Sequence, residues 1–257
     1  MNNKTYNFSG KTVLITGGTR GIGKGIAELF LSAGATVVVC GRNQPPLLPS
    51  VDDREALFCQ CDVRDPESSQ QLIDFCQSQT NRLDILINNA GGSPEVAAEQ
   101  ASPRFIQSII ALNLTAPAVL SQQAHAAMTE SEGEGVIINI ASVSAIRPSP
   151  GTAVYGAAKA GLVNLTRSLA QEWAPAVRVN VIIAGLARTE AAAEHYGGEA
   201  GIQKIEQRMP MQRMATPGDI ARACCYLASD DAAYVSGATL EVHGGGEPPS
   251  FLSLQND

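Results

Sequence analysis

Along the whole chain, short runs of consecutive apolar residues alternate with longer stretches whose apolar positions recur every three or four residues. Residues 11–16 (KTVLIT), 35–40 (ATVVVC), 56–61, 84–88, 136–140, 177–183 and 239–242 are runs of the first kind and read as strands. Most of these strands are apolar at nearly every position, so they need cover on both faces, as in a parallel sheet. The helical period marks 66–80, 103–130, 152–173 and 217–228, and also the stretch after residue 21, where Ile22, Ile26, Leu29 and Phe30 share a face. The expected fold is α/β: a doubly wound parallel sheet of about seven strands, with helices on both faces and right-handed crossovers.

Two stretches break the alternation. Residues 43–53 (NQPPLLPSVDD) carry Pro45, Pro46 and Pro49, which block a helix, so this crossover is expected to be an extended loop. Residues 188–213 combine Ala191, Ala192 and Ala193 with Gly197, Gly198 and Gly201, a pattern of small helices with hinges.

Composition narrows the picture. A chain of 257 residues that is 44% hydrophobic fits one large unit over 1–257 better than two small ones. The net charge of -7, with no basic stripe, argues against nucleic acid as a partner. No apolar run is expected to span a bilayer, and the start MNNKTYNFSGK has no signal-peptide core, so a cytoplasmic protein without a membrane partner is expected. Cys40, Cys59, Cys61 and Cys76 lie in or beside apolar segments, and Cys224 and Cys225 on a helical stretch. None has zinc-ligand spacing with a histidine. They read as reduced, buried residues, and no metal is expected.

The candidate chemistry centres on Ser142, Tyr155 and Lys159, in IASVSAIRPSPGTAVYGAAK. Positions i and i+4 of a helix share a face, so Lys159 can hold its ammonium beside the Tyr155 phenol and favour the phenolate. Bringing a tyrosine from its ordinary pKa of about 10 to neutrality takes roughly 4 kcal/mol, which a fixed cation and a positively charged cofactor ring can supply. Ser142, at the end of an apolar strand, can hydrogen-bond a substrate oxygen. Together the three make a proton-transfer and oxyanion-stabilising site. Alone, a Tyr and Lys four apart on a helix would be an ordinary solvated pair.

The start of the chain supplies the context. The first strand runs into Gly17, Gly18, Thr19, Arg20, Gly21, Ile22 and Gly23, then a helix. Glycines between a strand and a helix let the backbone approach a pyrophosphate, which the free N–H groups and the helix dipole stabilise. The spacing is G-x-x-x-G-x-G rather than the commoner G-x-G-x-x-G.

These motifs together resemble the short-chain dehydrogenase/reductase family, from about residue 9 to 246. TGGTRGIG at 16–23, CDV at 61–63, NNAG at 88–91, Asn113 in ALNL, then Ser142, Tyr155 and Lys159 stand in family order. The resemblance implies a Rossmann-type sheet and the catalytic set Asn113, Ser142, Tyr155 and Lys159. It implies that Asp62, with Val63 beside it, accepts from the adenine amino group, and that Asn89, Ala90 and Gly91 line the adenosine ribose. Asn113 would bend its helix and hold a water linking Lys159 to solvent. Gly185, Ala187 and Thr189 would meet the nicotinamide end, and 188–213 would be the substrate lid. One departure is Ala184, where the family has proline before Gly185; the added freedom predicts a less rigid loop.

Charge decides the expected cofactor. After the second strand come Gly41 and Arg42, with no Asp or Glu before Asp52, and Arg20 adds a second cation. Two guanidinium groups suit a 2'-phosphate, so NADP(H) is expected over NAD(H). The expected activity is hydride transfer between this cofactor and a small-molecule ketone or alcohol, with Tyr155 moving the proton. Ser93, Pro94, Ala145, Arg147, His195, Tyr196, Met209 and Met211 would surround the substrate. Alternatives are a 3-oxoacyl-thioester reductase, a reductase of bulky cyclic ketones and, in another class, an idle nucleotide-sensing subunit. The resemblance also implies a homotetramer formed through the helices at 103–130 and 152–173 and the last strand. The apolar tail 247–257 is expected at a subunit interface.

Overall fold

The computed structural model describes residues 6–130 and 133–247. In chain order the first half contains β1 (Thr12–Thr16), α1 (Gly21–Ser32), β2 (Thr36–Gly41), β3 (Ser50–Val51), β4 (Arg54–Glu55), β5 (Leu57–Gln60), α2 (Pro66–Thr80) and β6 (Ile85–Asn88). The second contains α3 (Pro103–Ile110), α4 (Ala116–Thr129), β7 (Gly135–Ser142), α5 (Ala153–Trp173), β8 (Val177–Ala184), α6 (Ala192–His195), α7 (Gly198–Arg208), α8 (Pro217–Ala228) and β9 (Thr239–Val242).

Seven parallel strands form one sheet in the order β5-β2-β1-β6-β7-β8-β9. The chain winds outward from β1 to one edge, then from β6 to the other, so a crevice opens where the direction reverses. The apolar runs alternate within themselves. Val13, Ile15, Val37, Val39, Ile85, Ile87 and Ile138 face α1 and α8, where Ile26, Phe30, Ile220 and Cys224 meet them. Leu14, Val38, Leu86 and Ile137 face Leu72 of α2 and Leu120 and Ala124 of α4. Each large side chain buried this way contributes about 1.5 to 3 kcal/mol, which is why strands this short hold the sheet.

The loop expected at 43–53 is partly ordered: Ser50 and Val51 pair antiparallel with Arg54 and Glu55, around Asp52 in a left-handed conformation. The prolines exclude a helix but leave a hairpin open. The helix expected over 103–130 is interrupted by a π-turn at Ala111–Thr115. The run Pro103–Thr129 is also long and apolar enough, by length and composition, to cross a bilayer, with a window of mean hydropathy 1.3. That corrects the expectation that no run would be. In this fold Leu120, Ala124 and Met128 of that run pack on the sheet.

A buried polar chain ties the two halves together. Asn88 Nδ2 donates to Asn139 Oδ1 at 2.8 Å and Ser121 Oγ at 2.9 Å, and Asn139 Nδ2 donates to Thr166 Oγ1 at 2.9 Å. These bonds fix β6 and β7 against α4 and α5, the elements that carry the site.

Candidate active site

At the carboxyl ends of the strands lies a cleft of about 1090 Å³. Gly17, Thr19, Arg20, Gly21, Ile22, Gly23, Arg42, Asp62, Val63, Asn89, Ala90, Gly91, Ser142, Tyr155, Lys159, Gly185 and Thr189 all line it. Of the cofactor residues expected, only Ala187 does not; it bridges to Ala215 instead. Asn113 is fully buried and stands behind the wall.

The glycine turn is built for close approach. Gly17 has a φ of +61°, and a Cβ on Gly23 would stand 2.4 Å from the Gly17 carbonyl oxygen. Arg20 is extended before α1, and its side chain does not cap the helix. The ends of β1 and β6 are clamped: Asn89 Nδ2 donates to Thr16 O at 2.9 Å, and the amides of Asn89 and Ala90 donate to Thr16 Oγ1 at 3.0 and 2.9 Å. A glycine-rich turn that brings backbone close to the cleft at a helix start fits a pyrophosphate. Sequence reasoning missed that Glu190 reaches this turn, where its Oε2 accepts from the Gly21 amide at 3.1 Å. Its place directly after Thr189 was the available signal.

At the end of β2, Arg42 lines the cleft with Arg20, and Gln60 Nε2 donates to the Arg42 carbonyl at 2.8 Å. Asp62 is already engaged: Arg64 Nε donates to its Oδ1 at 2.9 Å, and this bond holds the carboxyl below its ordinary pKa. An adenine amino group would share that carboxylate with Arg64, a partner sequence reasoning did not anticipate.

At the other end of the cleft, Ser142 closes β7 and Tyr155 and Lys159 lie in the first turns of α5. Tyr155 and Ser142 line the cleft together, and the Ser142 hydroxyl is close enough to lower the phenol's pKa. Lys159 Nζ lies 5.8 Å from the centre of the Tyr155 ring and donates to Ile140 O at 2.8 Å. Lys159 is 2% exposed, and burial pulls its pKa down to about 8. Burial also raises the Tyr155 pKa. This corrects the expectation of a phenol favoured toward phenolate by the lysine: in the protein alone, desolvation prevails and only Ser142 opposes it.

Asn113 sits in the π-turn, where the wider ring of backbone turns its side chain inward. Its Nδ2 donates to Ile109 O and Gly92 O, and its Oδ1 accepts from the Gly92 amide, each at 2.9 Å. The side chain therefore ties the 91–92 segment to the helix and has no bond to Lys159. A Cβ on Gly91 would stand 2.8 Å from Asn113 Oδ1 and 3.0 Å from Lys159 Nζ, so this position has room only for glycine.

Ala184 prolongs β8, in register with Ser142 on one side and Val242 on the other, and the Gly185 amide donates to Val242 O at 3.0 Å. The backbone that proline would interrupt is thus part of the sheet. Beyond it, α6 and α7 flank Gly197 and Gly198, both with positive φ. Of the expected substrate-facing residues, Met209 is buried with Ile202 and Met214 inside the lid, whereas Met211 is 59% exposed. The His195 side chain and residues 248–257 lie outside the described ones.

Fold and cleft together define an α/β protein of the dinucleotide-binding class, with a tyrosine, a serine and a buried lysine at one end of the cleft. Residues 17–247 match the family profile described as enoyl-(acyl carrier protein) reductase. The 3-oxoacyl-[acyl-carrier-protein] reductase FabG of Rickettsia conorii is 35% identical over 242 residues, 93% of this chain and 98% of the relative. A probable 2,4-dienoyl-CoA reductase of Bacillus subtilis is 34% identical over 91% of this chain and 96% of its own. The crystal structure of a short chain dehydrogenase from Bacillus anthracis superimposes with a TM-score of 0.84, at 33% identity, over 94% of this chain and 98% of that one. The chain belongs to the short-chain dehydrogenase/reductase family, oxidoreductases that act on CH–OH groups with nicotinamide cofactors.

Proposed function

We propose that the protein is an NADP(H)-dependent oxidoreductase that interconverts a ketone and a secondary alcohol, with Tyr155 as general acid and base. The observation that carries this reading is the meeting of Tyr155 and Ser142 with the buried Lys159 at one end of the cleft. A nicotinamide held there supplies or takes up hydride. Ser142 donates to the carbonyl oxygen, and Tyr155 gives the same oxygen its phenolic proton as charge develops there. A phenol whose pKa burial raises keeps its proton until that moment. Lys159, titrating near 8, exchanges protons close to neutrality and resupplies Tyr155. Asn113 positions this assembly through Gly92.

The amides of the glycine turn hold the pyrophosphate, Asp62 and Val63 the adenine, Asn89 to Gly91 the ribose, and Gly185 and Thr189 the nicotinamide end. Support for NADP(H) over NAD(H) is the pair Arg20 and Arg42, with no carboxylate at the end of β2. A second reading, favoured by the name of the Rickettsia relative, is reduction of a 3-oxoacyl thioester. Oxidation of NADPH measured with acyclic ketones, cyclic ketones and acetoacetyl-CoA tests both. Turnover of the thioester alone selects the second reading, and turnover of none, with NADPH bound, selects an idle nucleotide-sensing subunit.

The assembly inferred is a homotetramer through α4, α5 and the edge strand β9, supported by exposed Ala126, Ala157 and Ala160 on the two helices. A cytoplasmic location is supported by the six free cysteines.

A further inference from the structure

Beyond Tyr155, three segments meet around one ion pair. Arg147 lies in the turn after Ser142, where its amide donates to Val143 O at 3.2 Å. Its Nη2 donates to Glu247 Oε1 at 2.5 Å and its Nη1 to Pro148 O at 2.8 Å, while its Nε is buried without a partner. Glu247 is delivered by the turn Gly244 to Gly246, all three with positive φ. That turn runs against the lid: Cβ atoms on Gly244 and Gly245 would stand 3.2 Å from Met211 Cγ and 3.0 Å from Pro210 Cβ. Tyr196 of the lid completes the group. Burial raises its phenol pKa, Glu247 and Tyr155 raise it further and Arg147 lowers it, so these three groups all lie within electrostatic reach of Tyr196.

Accepting the proposed carbonyl chemistry at Tyr155, we propose that Arg147 receives a carboxylate carried by the substrate, and that Glu247 is its internal stand-in until the substrate binds. The substrate class is then a keto acid or hydroxy acid, its carbonyl at Tyr155 and its carboxylate a few carbons away. Three observations carry this. A guanidinium offers a planar fork suited to two carboxylate oxygens, yet Glu247 takes one of its nitrogens and another is left over. The pair joins residues 100 apart in sequence, the turn after Ser142 and the chain after β9, rather than residues within one element. Its two side chains are 35% and 36% exposed, a setting in which ion pairs hold weakly, so an incoming carboxylate can replace Glu247.

The test uses the full chain with NADPH bound. Binding of 4-oxopentanoate, 5-oxohexanoate and 6-oxoheptanoate, each beside its methyl ester, is measured by thermal shift for the wild type, Arg147→Gln and Glu247→Gln. At least one acid is expected to bind about tenfold more tightly than its ester. Arg147→Gln should erase that ratio, and Glu247→Gln should widen it about threefold. Equal binding of acids and esters by the wild type, or a ratio that survives Arg147→Gln, overturns the subsite. If Arg147→Gln does not fold, Glu247→Gln decides, and a ratio it leaves unchanged or narrows overturns the proposal. Failure of NADPH itself to shift the wild type would be a failure of the proposed function instead.

Discussion

The carboxylate of Glu190 accepts a hydrogen bond from the backbone amide of Gly21 at 3.1 Å, pinning the first residues of the lid to the turn proposed to hold pyrophosphate. A pyrophosphate and this carboxylate have the same charge and want the same donor. Glu190→Ala is therefore expected to tighten NADPH about three- to tenfold, the scale of a partly exposed charge-assisted bond. Adenosine 2',5'-bisphosphate, which lacks the pyrophosphate, should gain less. Titration by cofactor fluorescence and calorimetry measures both, and weaker NADPH binding would show that Glu190 helps rather than competes.

Tyr155→Phe removes the proposed proton donor and keeps the ring. Turnover should fall at least about a hundredfold, the usual scale for a positioned acid or base, with the Kd for NADPH little changed. A variant that keeps most of its kcat would clear Tyr155 of that role.

Arg42→Ala should weaken NADPH by about ten- to a hundredfold, as expected for loss of a charge-assisted contact to a phosphate, and leave NADH almost untouched. Equal losses for both cofactors would place Arg42 away from the 2'-phosphate.

Lys159 gives a prediction in pH. Its pKa falls from 10.5 unfolded to about 8 folded because burial disfavours the ammonium. Below pH 8 both states are protonated and the fold carries the full penalty; between 8 and 10.5 the penalty fades as the folded amine loses its proton first. The shift corresponds to about 3 kcal/mol. Urea unfolding should thus find Lys159→Met gaining on the wild type at pH 7, and the advantage shrinking toward pH 10. A pH-independent difference would contradict the shift.

For assembly, light scattering of the full chain should give four times the mass of one chain. A monomer would exclude the interface through α4, α5 and β9.

The central sheet strands were legible because they are buried on both faces, which leaves an apolar run no other environment requires, and the half-buried edge strands β5 and β9 kept enough apolar positions to be found with them. The hairpin at 50–55 was not, since its strands are two residues long and largely exposed, with no period to detect. The residues expected along the cofactor cleft came together there with one exception, Ala187, because glycines and motif spacing reflect backbone approach. What failed was any quantity that depends on depth. The raised Tyr155 pKa follows from its surroundings after folding, and no spacing rule contains it. Glu190 and Glu247 escaped for a related reason: a carboxylate bound within its own chain is identical in sequence to a solvated one.

The π-turn at Ala111–Thr115 amounts to one residue more than an unbroken α-helix would use over the same path. Deleting a single residue from ALNLT would let α3 and α4 fuse into one regular helix over the same path, relieving the irregular ring and closing the wide turn that aims Asn113. Asn113 or its replacement would then no longer point at Gly92. At this one place the easiest repair of the backbone and the retention of the site exclude each other, so the irregularity belongs to what the protein does rather than to how it folds.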